Sequence, residues 1–259
     1  MRMQLLAGTA VAAVMAVTTA YAADMPMKAP FVPAPPPQFS WTGCHVGVNA
    51  GLGAGHLQWT DTQPDGNVDG NTGTNRTAHT DMSGGVAGGQ LGCDMQFGGN
   101  FVVGIAGMMN WSDITGTNQD QFNAPWTLRD NIDWYASITG RLGIAVNNVL
   151  FYGKGGVAFE HNNFEIENSG VTLGTPSDVR TGWTLGAGLE WAFAPNWSAV
   201  VEANYYSFAA KSELFNNPGA VGGGFINPPF TINVQPAFET FTLGVNYRFG
   251  GGGPVYARY

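Results

Sequence analysis

Beyond residue 23, the sequence has no run of 18 uninterrupted apolar residues. A helix that crosses a membrane needs about 20 such residues, so a chain that spans lipid by helices is excluded. The remaining way to span a bilayer is a closed β-barrel, in which every backbone polar group pairs between strands. An exported, soluble all-β domain is the competing class.

Basic residues are also scarce, with 10 Lys and Arg against 18 Asp and Glu and a formal net charge of −8. This balance argues against a nucleic-acid partner, because its phosphates require a basic surface. Long helices are usually rich in Glu, Lys, Leu and Ala. This sequence has 38 Gly and frequent Thr, Asn and aromatic residues, so its composition favours strands.

The N-terminus has the features of an export signal. Arg2 is the only charge in the first 23 residues, an apolar stretch covers 5–17, and Ala20-Tyr21-Ala22 is a small-x-small cleavage pattern. These features predict a signal peptide over residues 1–22. A retained membrane anchor is the alternative, and it is disfavoured because the apolar run is shorter than about 20 residues.

A proline-rich linker follows over residues 23–40, with six prolines that favour an extended polyproline II conformation. We expect it in the periplasm. Two interpretations remain open: a spacer that touches the cell wall, and an unstructured leader to the first strand. The second is favoured.

From residue 41 onward, apolar and polar residues alternate with a period of two. The alternation covers eight segments: 44–52, 84–97, 101–111, 134–145, 149–160, 182–193, 197–206 and 240–249. Their period and length suit tilted strands that cross a bilayer, and bacterial single-chain barrels have an even number of strands. The pattern predicts an eight-stranded, antiparallel, up-and-down transmembrane β-barrel over residues 41–250, with a tail over 251–259. A ten-stranded barrel that uses residues 230–234 is the alternative, disfavoured by nearby prolines.

Connection lengths alternate as well. The links at 98–100, 146–148 and 194–196 are short, and the other links are about 20–30 residues long and hold most of the acidic residues. Short periplasmic turns and long extracellular loops are typical of outer-membrane barrels, whereas a soluble sandwich has no reason to alternate so strictly. The expected location is therefore the bacterial outer membrane.

Six charged residues lie on the polar face of the predicted strands, near the short-turn end: Asp94, Arg141, Lys154, Glu190, Glu202 and Arg248. Three acids and three bases at one depth predict an ion-pair network in the lumen, since buried charges need partners. An eight-stranded barrel is just wide enough for its own side chains to fill. The favoured hypothesis is a plugged lumen, and the alternative is a charged constriction in a narrow pore.

Aromatic residues gather at the strand ends of the apolar face. The main ones are Phe97, Trp111, Trp134, Trp183, Trp191, Trp197, Tyr247 and Phe249. Rings at both ends of the spans predict the interfacial girdles of a membrane barrel. In a soluble sandwich, core aromatics would be scattered along the strands.

The chain offers little for redox or metal chemistry. Cys44 and Cys93 are the two cysteines, and both lie on the outward face of adjacent strands, so either a cross-strand disulfide or two separate thiols is consistent with the phasing. His56 and His79 flank the first long loop and could bind metal or haem at its base, but polar loop residues are favoured. No metal-ligand spacing and no catalytic grouping occurs, so we expect no cofactor and no enzymatic activity.

Several short motifs carry a resemblance across the whole chain: Ala22-Ala23-Asp24, Trp41-Thr42-Gly43, Gly140-Arg141-Leu142-Gly143, Phe151-Tyr152-Gly153 and the segment 244–250. In their order and spacing the chain resembles the alphaproteobacterial outer membrane immunogenic proteins, small RopB-like barrels related to the OmpA transmembrane domain. The resemblance implies an eight-stranded barrel placed by the outer-membrane insertion machinery, with roles in envelope integrity and surface exposure. The chain departs from the family at Cys44-His45, where relatives usually have aromatic residues.

Three classes of function follow from these features. The first is a structural barrel that supports the envelope and presents its loops. The second is a small porin with a narrow charged pore. The third is a surface adhesin, or a binder of haem or metal, that acts through its loops. Expected partners are outer-membrane lipid and lipopolysaccharide and, during assembly, the insertion machinery.

Overall fold

The computed structural model describes residues 39–61, 77–119, 126–168, 171–174, 177–215 and 230–249. The predicted signal peptide, linker residues 23–38 and the predicted tail lie outside these ranges. Within the ranges, no helix is long and apolar enough to cross a membrane.

The described residues form ten antiparallel strands. Their bounds are β1 Gly43–Asp61, β2 Thr77–Phe97, β3 Phe101–Gln119, β4 Trp126–Val146, β5 Val149–Asn168, β6 Val171–Gly174, β7 Ser177–Ala194, β8 Trp197–Phe208, β9 Lys211–Phe215 and β10 Phe230–Phe249.

Eight of these strands close into a ring in the order β1-β2-β3-β4-β5-β7-β8-β10. The ring is closed because β10 pairs back with β1, from Cys44 opposite Phe249 to Asp61 opposite Ile232. The two short strands lie off the ring, β6 paired with β5 and β9 paired with β10. The predicted eight-stranded antiparallel barrel is confirmed.

The two faces of the sheet differ in polarity in the way that a membrane barrel requires, with apolar side chains outside and polar side chains inside. Apolar side chains that point outward are exposed, such as Leu52 at 71% and Ile105 at 68%. Polar side chains that point inward are buried, such as Thr242 at 2% and Asn246 at 1%. A soluble domain buries its apolar face, so the outer surface of this barrel suits lipid.

The strands are longer than the alternation predicted. β2 and β4 each have 21 residues, against predicted spans of 84–97 and 134–145, and the extra residues lie at the end that carries the long loops. There the strands extend beyond the aromatic residues, where neither face meets lipid and the apolar alternation fades. Pairing continues because the ladder still satisfies the backbone groups.

The run 230–234 is part of β10 and forms no separate strand of the ring. Pro236 is tolerated within β10 because the ladder on one side is interrupted there, between Val234 paired with Lys211 and Ala237 paired with Ser207. Pro236 has no backbone N–H to donate, and on that side of β10 no ladder hydrogen bond requires one.

Two register shifts reshape the sheet near the long-loop end. They occur between Trp111 and Ile114 on β3 and between Ile132 and Trp134 on β4. On β4 the shift changes which side chains point inward, as β-bulges do: Asp130 and Ile132 are buried on one side of it and Tyr135 on the other. On β3 the even-numbered residues stay inward, so Ile114 is buried in the same phase as Asn110.

Candidate functional site

The interior of the barrel is the candidate site, and its short-turn half contains a closed ring of charges. The Arg248 guanidinium lies 3.0 Å from Asp94 and 3.2 Å from Glu190. Arg141 lies 2.9 Å from Glu190 and 3.4 Å from Asp94. Each arginine therefore bridges both carboxylates, and all four side chains are buried.

A second ion pair lies beside this ring. Lys154 Nζ donates to Glu202 Oε2 at 2.5 Å, and the Tyr152 hydroxyl donates to Glu202 Oε1 at 2.5 Å. The Arg141 guanidinium lies 4.0 Å from the centroid of the Tyr152 ring and so connects the two groups. The structure thus brings together all six charged residues that the sequence singled out.

Neutral groups satisfy the remaining hydrogen-bonding capacity of Glu190. The Ser198 hydroxyl and the Asn246 amide donate to Glu190 Oε1 at 2.6 and 3.1 Å. His45 Nδ1 lies 3.5 Å from Asp94 Oδ2, so His45 is a buried member of the network. Sequence reasoning noted His45 only as a departure from the family, although its place on the polar face of β1 was a usable signal.

Very little space remains within this network. The cavity inside it is about 10 Å³, lined among others by Arg141, Tyr152, Lys154 and Glu202. A cavity needs roughly 10–15 Å³ to hold a single water molecule. The short-turn half of the lumen is therefore filled by side chains.

Glycine on a neighbouring strand makes room for the bulky interior side chains. A Cβ at Gly188 on β7 would lie 2.5 Å from the ring and hydroxyl of Tyr152 on β5. A Cβ at Gly104 on β3 would collide with the carboxylate of Asp94 on β2. Both glycines are thus required by the close approach of a lumen side chain.

Trp41 closes the lumen at the short-turn end and is fully buried. Its backbone oxygen accepts a hydrogen bond from Arg248 Nη1 at 2.7 Å, and its backbone N–H donates to Gln96 Oε1 at 2.8 Å. Phe39 packs on its ring at a centroid distance of 4.8 Å. The apolar cluster around it contains Val102, Ala145, Leu150, Tyr152, Ala192 and Val200.

An aromatic layer crosses the lumen on the other side of the charges. The ring centroids of Tyr135, Tyr206 and Phe238 lie 4.9–5.3 Å from one another. Phe208 stacks on Phe238 at 5.8 Å. The lumen is therefore occupied at three levels, by Trp41, by the ion pairs and by this layer.

Beyond the aromatic layer, at the long-loop end, lies a group of buried residues that sequence reasoning missed: Asp130 on β4, Glu160 and Asn162 on β5, and Arg180 on β7. Glu160 pairs directly with Arg180 in the ladder. Burial raises the pKa of Asp130 to about 7, although Asn162 and Arg180 act in the opposite direction. In the sequence Asp130 belongs to the acidic residues of the second long link, and only the length and register of β4 reveal that it points inward.

The aromatic residues of the predicted girdles lie on the outer face, as their phasing required. Six of the eight are about half exposed: Phe97, Trp111, Trp183, Trp191, Trp197 and Phe249. Trp134 and Tyr247 are of intermediate exposure, and Trp134 stacks on His161 while Tyr247 packs on Trp197.

Cys44 and Cys93 are directly opposite on β1 and β2 and form a disulfide on the outer face. Of the two arrangements left open by the sequence, the structure has the bridge. The His56 and His79 rings lie 6.4 Å apart, also on the outer face. Throughout the described ranges, no three His, Cys, Asp or Glu side chains are grouped to hold a metal ion.

The closed ring of eight strands, with an apolar outer band and a polar interior, defines a transmembrane β-barrel. The chain belongs to the family described as outer membrane protein beta-barrel domain, which it matches over residues 9–249. Its location is the bacterial outer membrane.

Relatives in Brucella support the same assignment. The chain is 30% identical to the 31 kDa outer-membrane immunogenic protein of Brucella melitensis biotype 1 over 246 residues, which cover 92% of this chain and 96% of the relative. It is 26% identical to the 25 kDa outer-membrane immunogenic protein of the same organism, over 89% of this chain and 91% of the relative. The resemblance to outer-membrane immunogenic proteins is thereby confirmed.

Among solved structures, the chain is similar to the outer membrane protein OprG from Pseudomonas aeruginosa, with a TM-score of 0.45 and 12% identity over 82% of this chain and 99% of that chain. It is also similar to Ail, the attachment invasion locus protein of Yersinia pestis, with a TM-score of 0.34 and 17% identity over 80% and 99%.

Proposed function

We propose that this protein is a non-enzymatic structural barrel with a closed lumen, which supports the integrity of the outer membrane and presents its loops at the surface. The observation that carries the proposal is the filled interior, in which the ion pairs around Arg141 and Arg248 leave a cavity of about 10 Å³. A hydrated ion requires a continuous water-filled path, and a cavity of this size is at the lower limit for one water molecule.

The charge balance of the lumen supports the same function. Three acids and three bases pair with one another, and neutral donors such as Ser198 complete the network. A charged constriction that selects solutes instead needs an excess of one sign facing water. A mutually paired set is better suited to holding neighbouring strands in register than to attracting a solute.

Planar-bilayer recording tests the closed lumen. We expect the purified, folded protein to show no steady single-channel conductance in either direction of applied voltage. The folded state is verified by heat-modifiable migration on a gel. Steady conductance steps from the folded protein would refute the plugged lumen and favour the small porin.

The envelope role needs a test in cells. We expect deletion of the gene to increase sensitivity to detergent and EDTA. A variant that lacks loop residues 63–75 should restore resistance as well as the full chain does, because the barrel supplies the function. If the barrel inserts but the loop-deleted variant fails to restore resistance, the loops carry the function and the adhesin or ligand-binder class replaces the structural one.

A further inference from the structure

Two carboxylates inside the long-loop end of the barrel, those of Asp130 and Glu160, make no well-formed hydrogen bond with the residues that the structure describes. All four of their oxygens are buried, and the Asn162 amide and the Asn131 backbone N–H, which lie near Asp130, fall short of hydrogen-bond geometry. The side chains of these residues are almost fully removed from solvent, at 3% and 0% exposure. Buried polar groups are normally satisfied, so four such oxygens indicate a missing partner, such as an ion or water.

Asn162 supplies a second, independent sign of a ligand. It is 2% exposed, and neither its amide oxygen nor its amide nitrogen has a hydrogen-bond partner in the described part of the chain. Its ladder partner on β4 is Ile132, two residues from Asp130, and its amide lies close enough to the Asp130 carboxyl to favour the ionised form, without the geometry of a formed hydrogen bond. An unpaired amide oxygen therefore lies beside the two unpaired carboxylates.

Local charge is unbalanced in this group, unlike in the network near the short-turn end. Asp130 and Glu160 repel each other, and Arg180 is the base that interacts with both. Part of the hydrogen-bonding capacity of Arg180 is used by the backbone oxygen of Val234, which accepts from Nη1 at 3.0 Å. When both carboxyls are ionised, their two negative charges face the one positive charge of Arg180 among the described residues that act on both, which makes a net negative group in a site of low dielectric.

The surrounding charges strengthen this attraction for cations. The long-loop half of the sequence, taken as residues 56–82, 112–134, 160–181 and 206–239, contains 14 acidic and four basic residues. An excess of acidic residues in this half of the sequence raises the local concentration of cations. Asp130 and Glu160 are buried at this end of the barrel, and Glu160 is the ladder partner of Tyr135 in the aromatic layer.

We propose that Asp130, Glu160 and the amide oxygen of Asn162 form a binding site for a hard divalent cation such as Ca²⁺ inside the long-loop end of the barrel. Carboxylate and amide oxygens are the ligands that Ca²⁺ prefers, and water completes its coordination of six to eight oxygens. The bound cation links β4 to β5 and offsets the repulsion between the two carboxylates. The site lies apart from the ion-pair network, so it does not depend on whether the lumen conducts.

Calcium titration of the folded protein tests the proposal, with isothermal calorimetry as one readout and competition with Tb³⁺ luminescence as the other. We expect one saturable site with a dissociation constant on the order of 10⁻⁴–10⁻³ M, the range of sites with few carboxylates. Asp130→Asn and Glu160→Gln should each weaken binding at least tenfold. Both variants should fold, because each removes an unpaired buried charge.

Asp81→Asn is the matched control, because Asp81 is an exposed acid on the outer face of β2 at the same end. We expect this variant to bind Ca²⁺ as the parent protein does. The proposal is overturned if the folded parent protein does not bind Ca²⁺ at millimolar concentration. The two carboxylates would then be neutralised by protons alone. The proposal is equally overturned if Asp130→Asn and Glu160→Gln bind normally, or if Asp81→Asn weakens binding as much as they do.

Discussion

Arg248, the penultimate residue of the last strand, donates a hydrogen bond from Nη1 to the backbone oxygen of Trp41, which precedes the first strand. The two residues are 207 positions apart, and the guanidinium also lies 5.1 Å from the centroid of the Trp41 ring. Because the same guanidinium bridges Asp94 and Glu190, Trp41 is tied directly to the ion-pair network. The cap at the short-turn end and the lumen charges thus form one connected unit.

Trp41→Ala should therefore lower the free energy of unfolding by about 3–5 kcal/mol, the usual loss when a buried tryptophan is truncated. Urea titration of the protein in detergent measures this loss. Trp197→Ala is the control, since Trp197 lies at the same end but is 45% exposed on the lipid face. Equal losses for both variants would show that Trp41 is no more than another interfacial aromatic.

The barrel and its charged interior could be predicted because both depend on local rules. Within lipid, every strand must alternate strictly, so the inward position of Asp94, Arg141 and Glu190 followed from parity. The balance of acids and bases then predicted mutual pairing. Cys44 and Cys93 had compatible phasing, but whether they bridge depends on register, which the sequence does not display.

The long-loop half could not be predicted in the same way. Beyond the girdle both faces meet water, so the alternation that identifies an inward residue is lost. The bulge next to Ile132 shifts the parity of β4, and Asp130 lies on its long-loop side. Trp41 was part of a motif in the sequence, but its burial as a cap could not be predicted, because a residue that precedes the first strand carries no parity signal.

Lys154 and Glu202 allow a double-mutant test of the ion pairs. Lys154→Met should destabilise the barrel by about 3–5 kcal/mol, because it leaves the buried Glu202 carboxylate without its main partner. Adding Glu202→Gln should recover a large part of this loss, since the second change removes the uncompensated charge. Urea-unfolding energies of the parent, both single variants and the double variant measure the coupling. Additive effects would mean that the two side chains fill space without stabilising each other.

The disulfide between Cys44 and Cys93 joins β1 to β2 across the first long loop, with a sequence separation of 49. In the chain-entropy description, closing a loop of this length stabilises the folded state by up to about 4 kcal/mol. Cys44→Ser/Cys93→Ser should lower the unfolding energy by a similar amount, and reductant should have no further effect on this variant. Mass mapping under non-reducing conditions that recovers two free thiols from the parent protein would contradict the bridge.

Asp130 should give the barrel a stability that decreases as the pH rises. Its pKa is raised by burial from 3.8 to about 7, so between these values the folded state holds a proton that the unfolded chain has released. The Asp130 contribution to the free energy of unfolding, measured in EDTA, should fall between about pH 4 and pH 7 by an amount on the order of 4 kcal/mol. Burial also raises the pKa of Glu160 to about 8, so Glu160 adds a second fall in the same direction that continues to about pH 8. Asp130→Asn should remove the Asp130 part of this fall and leave the Glu160 part, so the slope should become smaller without vanishing, whereas the exposed Asp81→Asn should preserve the full slope. The facing charges, Glu160 on β5 and Arg180 on β7, remain in both variants, so an unchanged slope in Asp130→Asn would assign the proton to another group.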